Sequence, residues 1–444
     1  DGRPHDRRTA QGMSYRQHLS WLHRVLPLAA AAMLALAPAS FGASVDVPAI
    51  PGVLQAAIAA AAAGDVLELE PGVHSGPVML DRAITLAGRP GAVIDGQHHG
   101  SVVEVTAPGA TVRDLTIRAS GRNLSGMDAA VFLDASAKNA VIQDNTIQDS
   151  LVGVYVHGAA GAIVRANHIA GWNAPNRNDS GNGVYVWDAP GAEVIGNDIS
   201  GGRDGIFTNI SRHNVFRANR IHGTRFAVHY MYTNDSEVSD NISIGNHAGY
   251  VIMFSNNLDV RNNLSDHDRD HGMLFNYANS SRITGNAVLH GGKKCVFIYN
   301  ANKNLFERNW FQGCQIGIHF TAGSERNTIG DNAFIGNQNQ VKYVGTRNVE
   351  WSAAGRGNYW SDNPAFDLNG DGIADTAYRP NDIVDQVVWR YPAAKLLLNS
   401  PAVQLVRWAQ AEFPNLHPGG VVDSAPLMRP PVVSAAHLHD GKAP

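Results

Sequence analysis

The chain has 444 residues, 44% of them apolar and 8% aromatic, with 45 Gly and a formal net charge of −4. That apolar content excludes a disordered chain, and the acidic balance argues against nucleic acid as a partner. Taking the five Arg and two Asp of residues 1–43 out of the 35 basic and 39 acidic side chains leaves 30 against 37, a more acidic remainder.

Residues 1–43 read as an upstream extension followed by a secretion signal. Residues 1–12 precede Met13 and carry no pattern. From Met13 come the basic Arg16, His23 and Arg24, an apolar run from Val25 to Pro38, and small residues at 39–43. The run is short for a membrane span, so the mature chain is expected to start near Ser44 as an exported protein.

Residues 44–77 read as an N-terminal cap. The stretch Val53-Leu-Gln-Ala-Ala-Ile with its Ala-rich continuation predicts a short amphipathic helix, and Gly64-Asp65 leads into a strand over Val66–Glu70. Such a helix would cover an open strand edge that otherwise recruits other chains.

Residues 78–345 carry the dominant signal. Asn145, Asn167, Asn197, Asn219, Asn241, Asn263, Asn286, Asn309 and Asn332 recur at intervals of 22, 30, 22, 22, 22, 23, 23 and 23. A second phrase keeps the same step, from Gly153-Val-Tyr-Val and Gly183-Val-Tyr-Val to Gly272-Met-Leu-Phe and Gly317-Ile-His-Phe. A period near 22 without helical pattern predicts an all-β fold, a right-handed parallel β-helix of about 22–23 residues per coil, with a helical cap before it and a helical tail behind it. The interval of 30 contains Asn173-Ala-Pro-Asn-Arg-Asn-Asp-Ser180, which reads as a surface loop.

Strand alternation divides the second phrase into two faces. Val154, Val184, Ile206, Val228, Tyr250, Met273, Val296 and Ile318, with Val156 to Phe320 two residues on, form the inner columns. Tyr155, Tyr185, Phe207, His229, Val251, Leu274, Phe297 and His319 point outward beside His157, Trp187, Met231, Met253 and Tyr299. An outer stripe so rich in aromatics, Met and His predicts a ligand, a partner or a covering segment.

Within it, His229 and Met231 share one face, and Met253 lies one coil above Met231, about 5 Å away by strand spacing. An imidazole with two thioethers is a soft ligand set that favours Cu(I). Ordinary surface packing explains the same residues. A second cluster, His247, His267, Asp268, Asp270 and His271, would suit proton transfer on a bound sugar or metal ligation; a solvated turn is the simpler reading. Cys295 and Cys314 are open between a disulfide and free thiols.

Residues 346–444 lose the period. Asp367, Asn369, Asp371 and Asp375, with Gly372 among them, resemble the opening of a calcium loop, although Tyr378 stands where the twelfth-position carboxylate belongs; an Asx turn is the alternative. Ser400-Pro401 predicts a helix start with Ala402, Leu405, Val406, Ala409 and Phe413 on one side, followed by a Pro-rich remainder from Pro414.

The strings Gly357-Asn-Tyr-Trp-Ser-Asp362, Asp367-Leu-Asn-Gly-Asp-Gly-Ile-Ala-Asp-Thr376, Tyr378-Arg-Pro-Asn-Asp382, Val388-Trp-Arg-Tyr-Pro392, Leu398-Asn-Ser-Pro401 and Val422-Asp-Ser424 resemble the C-terminal region of the NosD family. The likeness extends through the coils and cap. It implies a periplasmic accessory protein of nitrous oxide reductase maturation that handles copper, transiently as Cu(I), with an ABC-type permease and ATPase, a copper chaperone lipoprotein and the reductase as partners. Membrane contact would then run through the permease, and the protein would not be an enzyme. The family supplies no catalytic motif to place here. The rival class is a periplasmic polysaccharide lyase or epimerase acting on a uronic-acid polymer; a scaffold without ligand is the third.

Overall fold

The computed structural model describes residues 42–345, 347–380, 383–397, 400–413 and 420–437. The expected secretion signal up to residue 41, and residues 414–419 and 438–444 of the Pro-rich remainder, lie outside the described residues.

The described chain is a parallel β-helix of about 14 turns. Each full coil gives one short strand to each of three sheets, which hold 13, 13 and 12 strands, all paired in parallel with the coil before and after. The spacing of 22 or 23 residues becomes vertical register: Asp204 pairs with Phe226, Ala248 with His271, and His271 with Lys294. Both inner columns expected of the third sheet are buried, including Val228, Tyr250, Met273 and Phe275.

The recurring Asn residues form one hydrogen-bonded ladder. Asn241 donates its backbone N–H and its Nδ2 to Oδ1 of Asn263 at 3.1 and 3.0 Å, and Nδ2 also donates to the Phe216 carbonyl at 2.9 Å. The same pattern climbs to Asn332 and then to Asn358. Because every rung is buried, each side chain satisfies polar groups that water cannot reach. The residue before each rung adopts a left-handed backbone, for example Ala166 (φ 52°), Ala218 (φ 56°) and Arg308 (φ 53°). These are poor left-handed formers, so the ladder, rather than local preference, sets the corner.

Parallel pairing starts at Ser44, which matches Val66, inside the segment assigned to the cap. The cap helix α1 (Val53–Ala60) buries Leu54 and Ile58 and lies against the strand Val78–Leu80. Its Gln55 accepts from the Met79 N–H at 2.9 Å and donates to the Met79 carbonyl at 3.4 Å, so a side-chain amide stands in for a missing strand.

At the other end Trp360 stacks between Phe334 and Tyr378, at 4.4 and 4.7 Å between ring centroids. The ladder terminates there on Asp423, whose Oδ2 accepts from the Asn358 N–H at 2.7 Å and from Trp360 Nε1 at 2.8 Å. Burial raises the Asp423 carboxyl above its usual range despite these donors. Helices α2 (Ile383–Arg390) and α3 (Pro401–Glu412) follow the plug, and α3 starts as expected, with Ser400 Oγ accepting from the Val403 N–H at 3.4 Å. Cys295 and Cys314 are joined in a disulfide between neighbouring coils.

Candidate metal-binding face

The strand Phe226–Met231 carries His229 and Met231, and Met231 pairs in register with Met253 of the next strand, Ala248–Met253. The two thioethers are half-buried vertical neighbours. His229 differs from the expectation of an open outer face, since it is only 6% exposed. Phe207 stacks on it at 4.7 Å, and Phe226, itself under the Arg225 guanidinium at 4.4 Å, meets it edge-on.

A residue missed in the sequence fixes that imidazole. Asp204, fully buried, accepts from Arg225 Nε and Nη2 at 2.8 and 2.7 Å and from His229 Nδ1 at 3.1 Å. Burial alone would raise the Asp204 carboxyl, but the His229 and Arg225 bonds hold it below its usual range. An ionised Asp204 therefore accepts the Nδ1 hydrogen of His229 and holds Nε2 in a fixed direction. Nε2 is buried and has no hydrogen-bond partner among the described residues. A carboxylate oriented behind an imidazole in this way is the arrangement that metal-ligating histidines use. The signal for Asp204 was its place before Gly205, where other coils carry Phe226 or Ala248.

Elsewhere the outer stripe is covered in part, while Tyr299 is 43% exposed. Tyr155 and Tyr185 stack at 4.7 Å and are buried with Leu124, Met127 and Trp172 packed around them. Val251 is 1% exposed. Burial pushes Tyr155 up, and likewise lowers His319 to about 4, with Lys294 and Lys342 adding to the effect.

The second predicted cluster is not one site. Asp268 is buried inside the coil, accepting from Ser243 Oγ and Ser265 Oγ at 2.6 Å each and from the Asn246 N–H at 2.7 Å. Asp270 bonds His271 Nδ1 at 2.8 Å and Lys293 at 3.0 Å, with His247 at 3.9 Å, at the start of the third sheet. His267 turns away to Asp266 at the end of the second sheet. The left-handed backbone of His267 (φ 55°) bends the chain, so residues adjacent in sequence face different walls.

The predicted calcium loop is held by its own backbone. Asp367 accepts from the Gly370 and Gly372 N–H groups at 2.7 and 2.8 Å, Asn369 from Asp371, Asp371 from Ile373, and Asp375 from Leu368. Tyr378 gives its hydroxyl to Asp362 at 2.8 Å. Asx turns of this kind hold their shape without a cation.

Fold and face together define a parallel β-helix protein that presents a buried imidazole beside paired thioethers. A family model described as "Periplasmic copper-binding protein (NosD)" matches residues 170–365. The "Probable ABC transporter binding protein NosD" of Pseudomonas aeruginosa is 42% identical over 376 residues, 82% of this chain and 88% of that protein. Its counterpart from Stutzerimonas stutzeri is 40% identical over 82% of this chain and 86% of its own length. The chain belongs to the NosD family. Among solved structures, a PL6 alginate lyase matches 63% of this chain and 73% of its own at TM-score 0.51 and 14% identity. A family 28 exopolygalacturonase from Yersinia enterocolitica matches 68% and 75% at TM-score 0.50 and 12% identity. Those likenesses show the fold.

Proposed function

We propose that this protein is a periplasmic accessory factor that receives and passes on Cu(I) during assembly of the copper centre of nitrous oxide reductase. Family membership supports the copper, and the relatives' naming as ABC transporter binding proteins supports an ABC permease and ATPase as partners. A copper chaperone lipoprotein would deliver the ion, and the reductase would be its destination.

The observation that carries the reading is the unpartnered Nε2 of His229, fixed by Asp204 on the face that holds Met231 and Met253. One imidazole and two thioethers form a soft ligand set on flexible Met side chains, which suits a soft monovalent ion in transit. The helical region from Tyr391 to Phe413 would hold the permease. It leaves Leu396 90%, Trp408 58% and Phe413 58% exposed, more apolar surface than scattered surface residues account for.

Anaerobic Cu(I) loading of the purified protein, followed by metal analysis, tests the proposal. The expected result is copper retained against a mild competitor and lost when His229, Met231 and Met253 are all replaced by Ala. A protein that retains no copper would end it.

A further inference from the structure

A second, harder ligand set stands on a different wall. Asp266 closes the strand Leu264–Asp266 of the second sheet, and its register partner Leu289 closes the next strand, Ala287–Leu289. His267 and His290 follow these two residues, so they occupy one position in adjacent coils. Their rings stack at 4.6 Å between centroids, and both Nδ1 atoms reach Oδ1 of Asp266, at 2.8 and 3.0 Å. The Asp266 side chain is 10% exposed, whereas His267 and His290 are 60% and 50% exposed.

The corner that holds them is left-handed in the other coils as well, with Ala119 (φ 58°) and Asp149 (φ 47°) at the equivalent place lower in the stack. At the same corner, coils on either side carry Gly223, Gly245, Gly313 and Gly336, all with positive φ between 56° and 75°. His267 and His290 adopt the same left-handed conformation at φ 55° and 46°. A side chain there costs backbone energy that Gly avoids. Two consecutive coils accept that cost here, and the first of them carries the buried Asp266.

We infer that Asp266, His267 and His290 form a two-histidine, one-carboxylate site for a borderline divalent cation, Zn2+ or Cu2+, distinct from the thioether face. Three ligand atoms of these residues lie within 4.8 Å of one another. Metal–nitrogen and metal–oxygen bonds of about 2.1 Å place neighbouring ligands about 3 Å apart. The two nitrogen–oxygen separations, 2.8 and 3.0 Å, already have that length. An ion taking the two Nδ1 lone pairs and the carboxylate oxygen requires each ring to carry its hydrogen on Nε2, a tautomer change without net proton release. Nitrogen and oxygen ligands suit a borderline divalent ion better than Cu(I), so the inference stands whether or not the thioether site holds copper.

The test uses the chain with Met231→Ala and Met253→Ala, which removes the soft ligands, stripped with a chelator and titrated calorimetrically with Zn2+ and separately with Cu2+. One equivalent of either ion should bind. Adding His267→Gly and His290→Gly restores the residue that neighbouring coils use, so that variant should melt no lower than its parent. It should bind either ion at least about tenfold more weakly. The Cu2+ spectrum of the parent should show coupling to two nitrogens. A parent that binds neither ion, or a Gly variant that binds both as tightly, overturns the inference.

Discussion

Asp204, at the start of one third-sheet strand, takes the Nδ1 hydrogen of His229 from the next coil at 3.1 Å. This bond links the solenoid's register to its chemistry, because only the 22-residue step brings the carboxylate beneath the imidazole. Replacing the acid with Asp204→Asn removes the charge that selects the tautomer and leaves Arg225 without its counter-ion. Cu(I) affinity should fall by about 10–100-fold, as for other residues that orient a metal-binding histidine. Competition with a chromophoric Cu(I) chelator reads it; unchanged affinity would show that Asp204 serves only the fold.

The Asn ladder should behave as one structural unit. Asn263→Ala strips two donors of Asn241 of their acceptor and the Val238 carbonyl of its donor, all in the buried core. Each unsatisfied buried group costs about 1–3 kcal/mol, so a loss on the order of 3 kcal/mol is expected. Denaturant midpoints against the parent check it. A change below roughly 0.5 kcal/mol would mean that the corner does not depend on its amides.

Asp268 predicts an acid-side pH dependence. Burial raises its carboxyl from 3.8 to about 6, against the lowering effect of Ser243, Ser265 and Asn246. The fold therefore prefers the protonated acid: the stabilisation is complete below about pH 3.8 and is lost as pH rises through about 6. Asp268→Asn should abolish that loss and gain on the order of 2–3 kcal/mol over the parent between pH 4 and 7. His271 and His319, both lowered by burial to about 4, act oppositely, their stabilisation being present above pH 6.5 and lost as pH falls towards 4. Melting curves of parent and variant across this range separate the two contributions; parallel curves would contradict the Asp268 assignment.

The C-terminal helices carry a prediction about assembly. Leu405 and Trp408 of α3 are exposed by 63% and 58%, so acidic substitutions there should spare the solenoid. Leu405→Asp with Trp408→Asp is expected to leave the melting temperature within about 2 °C of the parent. Co-purification with the permease should be lost. Retained co-purification would move the docking surface elsewhere.

How much was legible in the sequence depended on whether a residue's role followed from the period. Repetition every 22–23 residues gave the sheets, the inner columns and the vertical pairing of Met231 with Met253. It did not reveal that His229 is covered, because the cover comes from Asp204, Arg225 and Phe226, residues at two neighbouring repeat positions with no constant chemistry. Nor did it separate His267 from Asp268 and Asp270, since a single left-handed residue sends adjacent side chains to different walls. His290 escaped notice for the complementary reason: its partners lie 23 and 24 residues earlier, with nothing local to mark them. The pairing of Cys295 with Cys314 required the fold, because it depends on where one coil's strand meets the next coil's corner.

The central claim is that coil register assembles His229, Met231 and Met253 into one soft site. X-ray absorption of the anaerobically Cu(I)-loaded protein tests it most directly. The account predicts a first shell of two sulfur scatterers and one imidazole nitrogen, with both sulfurs lost in the Met231→Ala, Met253→Ala variant. A shell of nitrogen and oxygen alone, or one unchanged in that variant, would contradict it.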